Sequence, residues 1–213
     1  MKIQLPLTGN AQLPERAGMV TLKPTRGATP VRFGHTIQVP VINKGSFTTL
    51  LNGEQFVVVV GAGDQAQGSF GGTDEQPFLT GLLEPAWRAL EEGGEKAFYE
   101  SLKPTLIQKL EAATGVPSSR QGDILAHRLD RDWQDITRFA TQGTPMTARD
   151  RALFGTNHLF TGEVARIQLF PDGSEGTTQL VVVGTITAPD HRPLILNTPH
   201  VITRAQYVTN PLC

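Results

Sequence analysis

Two kinds of apolar patterning divide the chain. Between residues 76 and 154 the apolar side chains recur three or four apart, as on one face of a helix. On both sides they run in short blocks or alternate, as strands do. This predicts an α+β fold in a single domain over 1–213, with a mainly antiparallel sheet drawn from both chain ends. The expected order is strand-rich over 1–61, a Gly-rich loop at 61–73, a helical block over 76–154 packed on the sheet, and strand-rich again over 157–208.

In the first part, residues 19–23 and 35–43 carry β-branched side chains, and Pro40 confines the second run to an edge or a bulge. Residues 46–51 and 54–60 flank Asn52-Gly53, a pair that supplies both positive φ angles of a type I′ turn and so predicts a hairpin. Phe56, Val57, Val58, Val59 and Val60 are apolar without alternation, which predicts a central strand buried on both faces. In the last part, 159–170 and 177–187 read as a hairpin turned at Asp172-Gly173, with Leu180 to Val183 as a second buried centre. Residues 194–196 and 201–208 follow a rigid turn at 189–193.

Within the helical block, Leu79, Leu82, Leu83, Ala86, Trp87 and Leu90 make one stripe that Gly93-Gly94 ends. A second helix starts near Glu95 and is broken at Pro104, and a third stops at Gly115. Trp87, Phe98 and Tyr99 are expected in the core. Ser118 and Gln121 fit a capping box for a longer helix whose buried stripe is Leu125, Leu129, Trp133, Ile136 and Ala140. Its other face would carry His127, Arg128, Arg131, Asp135 and Arg138, with His127, Arg131 and Asp135 at successive i, i+4 positions. Such alternation of Arg and Asp is the pattern of a solvated, ion-paired face. Thr147 and Asp150 suggest a short last helix ending at Gly155.

The stretch from Gly61 to Gly72 lies between a strand and an expected helix, so it invites comparison with phosphate-binding loops. Its spacing is G-x-G-x-x-x-x-G, which delays the helix whose N-terminal amides would meet a pyrophosphate, and no Gly-Lys-Ser/Thr closes it. The expectation is a mobile connection, and no cofactor is indicated.

Composition narrows the class. The chain has 213 residues, 38% hydrophobic and 18% charged, with no apolar run near the ~20 residues of a membrane span. The one cysteine, Cys213, cannot form an internal disulfide, so a cytoplasmic protein is expected. The net charge of −1 hides an asymmetry: residues 1–50 hold six cations and one acid, residues 51–116 ten acids and four cations.

Two functional readings follow. In the first, the protein is a non-catalytic binder of an anionic partner such as nucleic acid, through Lys23, Arg26, Arg32 and Lys44, joined by Arg128 and Arg131. In the second, it is a metal-dependent hydrolase whose ligands are His158, His191 and His200, with Asp190 or Glu163 as a carboxylate ligand. No H-x-H or H-E-x-x-H spacing fixes those ligands in advance, and the sequence favours the first reading. Hairpins with exposed edges at both ends also allow a homo-oligomer.

Overall fold

The computed structural model describes residues 5–6, 16–17, 19–25, 29–40, 45–61, 63–74, 76–140, 145–168, 178–189, 191–206 and 208–211. The first strands are β1 (Leu5–Pro6), β2 (Arg16–Ala17), β3 (Val20–Thr25), β4 (Val31–Phe33), β5 (Thr36–Pro40) and β6 (Gly45–Leu50). They are followed by β7 (Gln55–Val60), β8 (Gln67–Asp74), β9 (Gln76–Leu82), α1 (Glu84–Ser101) and α2 (Thr105–Thr114). Then come β10 (Ser119–Gln121), β11 (Ile124–Arg128), α3 (Trp133–Arg138), β12 (Met146–Ala152) and β13 (Leu159–Ile167). The chain closes with β14 (Gln179–Ala188), β15 (His191–Arg204) and β16 (Val208–Pro211). Among the described residues strand pairing is antiparallel except between β3 and β5. The strands form three sheets, and the chain divides into two compact units, 1–102 with 206–213 and 103–205.

The first unit holds a sheet of order β1-β6-β7-β8-β9-β16 and a smaller one of order β2-β3-β5-β4. As the unbroken apolar run requires, every residue of β7 is buried. Phe56, Val58 and Val60 pack with Val20, Leu22, Ile37 and Val39 of the smaller sheet. Val57 and Val59 face Ala86, Trp87, Leu90 and Phe98 of α1. Each such side chain contributes about 1.5–3 kcal/mol on leaving water, so this strand is the energetic centre of the unit. The expected hairpin forms, but with Leu50 opposite Gln55 and a tight turn of 3-10 helix at Leu51–Gly53 in place of a type I′ turn. β5 lies inside its sheet, and Pro40, expected to force it to an edge, is harmless as its last residue.

The described part of the Gly-rich stretch is a short 3-10 turn at Gly63–Gln65 and a strand. Residues 67–74 are β8, paired on both sides to β7 and β9. Its glycines make room for rings: a Cβ at Gly68 would lie 2.4 Å from Trp87, and one at Gly71 2.8 Å from Phe56. The helix expected from residue 76 begins only at Glu84, because 76–82 pair with β8 as β9. The break at Gly93-Gly94 survives as a kink, with Gly94 at φ 73°.

The second unit is one sheet of order β10-β11-β15-β14-β13-β12. One face carries Ile124, Ala126, Phe160, Val164, Val182, Ile186, Leu196 and Ile202. The other carries Ala165, Ile167, Val181 and Val201, covered by Leu106 of α2 and Ile136 of α3. β14 is the buried centre that its Val run predicts, with Val181 and Val182 fully inaccessible. The long helix expected from Ser118 is replaced by the β10–β11 hairpin and the short α3, and the helix expected after Thr147 is replaced by β12. The middle of the chain therefore supplies strands to sheets as well as helices that cover them. Among the described residues no helix is long and apolar enough to cross a membrane.

Candidate functional site

The β10–β11 hairpin closes on two residues, since Gln121 stands opposite Ile124. Its turn, Gly122-Asp123, has its positive φ (55°) on the first residue, the type II′ arrangement that only glycine adopts without strain. The hairpin pairs to the end of β15, where Ile124 faces Arg204. Arg204 Nε then donates to Asp123 Oδ2 at 2.7 Å.

His158 reaches the same point from the segment between β12 and β13, and is only 3% exposed. Its backbone is fixed by Leu153 N donating to His158 O (2.9 Å) and by His158 N donating to Thr156 Oγ1 (3.1 Å). Its Nδ1 lies 3.0 Å from Thr156 Oγ1 and 3.4 Å from Asp123 Oδ1. His191, the first residue of β15, stacks on it with ring centroids 5.6 Å apart and planes at 17°. Gln121 locks the start of β15 by donating from Nε2 to the carbonyls of Arg192 and Ile186. The two histidines turn their Nε2 atoms to one place: a Cβ on Gly122 would lie 2.6 Å from that of His191 and 3.2 Å from that of His158. The missing side chain lets both imidazoles pack against the Gly122 backbone.

The second pair of histidines is set apart. His200 is on the same strand as His191 but nine positions on, about 30 Å along it at ~3.3 Å per residue, so the expected trio is reduced to two. Its Nδ1 lies 2.6 Å from Thr198 O. His127, fully buried, places Nε2 3.2 Å from Thr114 Oγ1 and Nδ1 3.1 Å from Ser118 Oγ. Burial holds both below the ordinary histidine value; for His127 Glu111 opposes and His200 reinforces the effect, and for His200 the bond to Thr198 opposes and Arg128 reinforces it. Glu111 takes hydrogen bonds from Lys103 Nζ (2.6 Å) and Ser118 N (2.8 Å). Burial alone would raise its carboxyl, but these donors and the Lys103 charge outweigh it and hold it low. This cluster reads as a satisfied polar knot joining α2 to the sheet.

The cations singled out in the sequence are divided. Lys23 and Arg32 belong to the first unit, Arg128 and Arg131 to the second, and Arg26 and Lys44, like Asp190, lie outside the described residues. Lys23 stands opposite Gln38 and Arg32 opposite Ile37, neighbours on β5, so the two point to opposite faces of one sheet. The face expected to bring His127, Arg131 and Asp135 together does not exist, because His127 is in β11 and only Asp135 is in a helix. Arg131 instead lines a cavity of about 340 Å³ with Asp135, Ile136, Arg138 and Phe139, whose ring is 73% exposed.

Sequence reasoning named His158 and His191 but missed Gln121, Gly122, Asp123 and Arg204. The available signal was Gly122-Asp123 itself, a hairpin dipeptide hidden inside an apparent helical stripe. No protein-family model matches this chain, and neither the curated proteins nor the solved structures give a significant match.

Proposed function

We propose that the protein is a metal-dependent hydrolase centred on His158 and His191. The observation that carries this reading is that the two Nε2 atoms come up against one residue, Gly122. A zinc-class ion bonds imidazole nitrogen at about 2.0–2.1 Å, so both rings would turn away from the Gly122 backbone to take one ion between their Nε2 atoms. Asp123 would be the carboxylate behind a ligating histidine: contact with His158 Nδ1 favours the tautomer whose Nε2 carries the lone pair. Arg204 in turn fixes the carboxylate. Among the described residues no group of three or more His, Cys, Asp and Glu side chains is arranged to hold a metal. Two imidazoles leave the remaining positions to water and a substrate oxygen, and a bound water would ionise near neutral pH. The test is calorimetry with Zn²⁺, Ni²⁺ and Co²⁺ on wild type, His158→Ala and His191→Ala, alongside hydrolysis of p-nitrophenyl acetate and bis(p-nitrophenyl) phosphate. Micromolar binding lost in both variants, with metal-stimulated turnover, is expected. Equal binding by all three proteins, or none by wild type, rejects the site.

A second reading, binding of single-stranded nucleic acid, draws on Phe139. An exposed ring lining one cavity with Arg131 and Arg138 suits a stacked base with a phosphate nearby. It requires that an oligonucleotide bind with steep salt dependence and that Phe139→Ala weaken it by about 1–3 kcal/mol. Fluorescence anisotropy at low salt with no binding would remove it.

A further inference from the structure

The apolar face of the second unit has an anomaly at its β12 edge. Along β13, Phe160 and Val164 point to that face, and the next residue in the alternation is Arg166. Arg166 stands opposite Leu180 of β14, itself packed on the same core. Arg151 of β12 stands opposite Phe160, beyond a register shift, so it too rises from the apolar face. Two guanidiniums thus occupy positions where the period calls for hydrophobic side chains. Among the described residues neither has a carboxylate partner; the contact of Arg151 is from Nη1 to the Met146 thioether at 3.4 Å, a weak acceptor.

Between them lies a cavity of about 300 Å³ walled by Leu153, Phe154, Phe160, Val164 and Leu180. Its floor is built for depth. Gly162 and Gly184 face each other across β13 and β14, and a Cβ on either would come within 3.0 Å of Phe160 Cζ, so the ring sinks against bare backbone. The volume is at the lower end of small-molecule sites and matches about ten waters.

We propose that this cavity binds a small amphipathic anion, its apolar body over Phe160, Val164 and Leu180 and its carboxylate or phosphate between Arg151 and Arg166. The guanidinium fork suits either head group. This site is separate from the histidine pair and stands without it.

Titration calorimetry of the full chain with octanoate, octyl phosphate, octanol and octylamine tests it. Both anions are expected to bind saturably, at least about tenfold more tightly than the alcohol or the amine, and the tighter anion identifies the head group. Arg151→Gln and Arg166→Gln, both at exposed side chains, should each weaken the anions about tenfold while leaving octanol unchanged. Arg166→Glu should turn the preference toward octylamine, and His158→Ala should leave octanoate binding as in wild type. Binding of octanol as tight as octanoate, no saturable binding of either anion, or unchanged affinity in both Gln variants would overturn the proposal.

Discussion

At the scale of single residues, Gly122 decides what the histidine pair can do. Its φ of 55° and the missing Cβ are both needed, the first for the turn and the second for the close approach of the two imidazoles. Gly122→Ala would therefore act twice. The left-handed backbone costs about 1–2 kcal/mol for an alanine, a modest loss of stability. The new methyl would also collide with the far end of His191, which can swing aside and so leave the ion with one ligand. The expected outcome is a melting temperature lowered by only a few degrees and a zinc affinity lowered by about 10–100-fold, read by thermal denaturation and calorimetry on the same samples. A variant that binds zinc as wild type does would separate the turn from the metal. None of this was legible from His158 and His191 alone: histidines in loops and at strand starts look alike until the register brings two of them to one turn.

At the scale of elements, the strands with unbroken apolar runs were readable and the amphipathic stretches were not. Val57 to Val60 and Val181 to Val182 admit one explanation, burial on both faces of a central strand, and both are found there. The stripe Leu125, Leu129, Trp133, Ile136 fits helical spacing, yet Leu125 is in β11, Leu129 follows it, and only Trp133 and Ile136 are in a helix. Pairing of β11 with β15 overrides the local period, because it satisfies the backbone polar groups of both strands at once. The Gly-rich stretch was misread for a related reason. Glycine weakens a strand by itself, but at Gly68 and Gly71 it is what lets Trp87 and Phe56 lie against the sheet. Side chains distant in sequence set that requirement, and no local pattern contains them.

At the scale of the whole molecule, acid stability follows from where the titrating groups are buried. His127 and His200 are held below 6.5 in the folded chain, chiefly by burial. As pH falls through that value the unfolded chain takes up protons that the folded one refuses, so stability is present above it and is lost toward acid, by up to about 1.4 kcal/mol per pH unit for each group. Glu111, also held low, stabilises the fold above 4.5 and gives that up as pH drops through its folded value. Both effects have one sign in adjoining windows, so stability should decline in two stages from neutral pH downward. Urea unfolding between about pH 8 and pH 2 measures this through the midpoint. His127→Gln, which keeps a partner for Ser118 and Thr114 but takes up no proton, should make the first stage shallower, down to the share of His200, and leave the second. A midpoint constant from about pH 8 to pH 5, or a first stage unchanged in His127→Gln, would show that the buried knot tolerates the proton, and with it that the polar bonds around His127 rearrange at little cost.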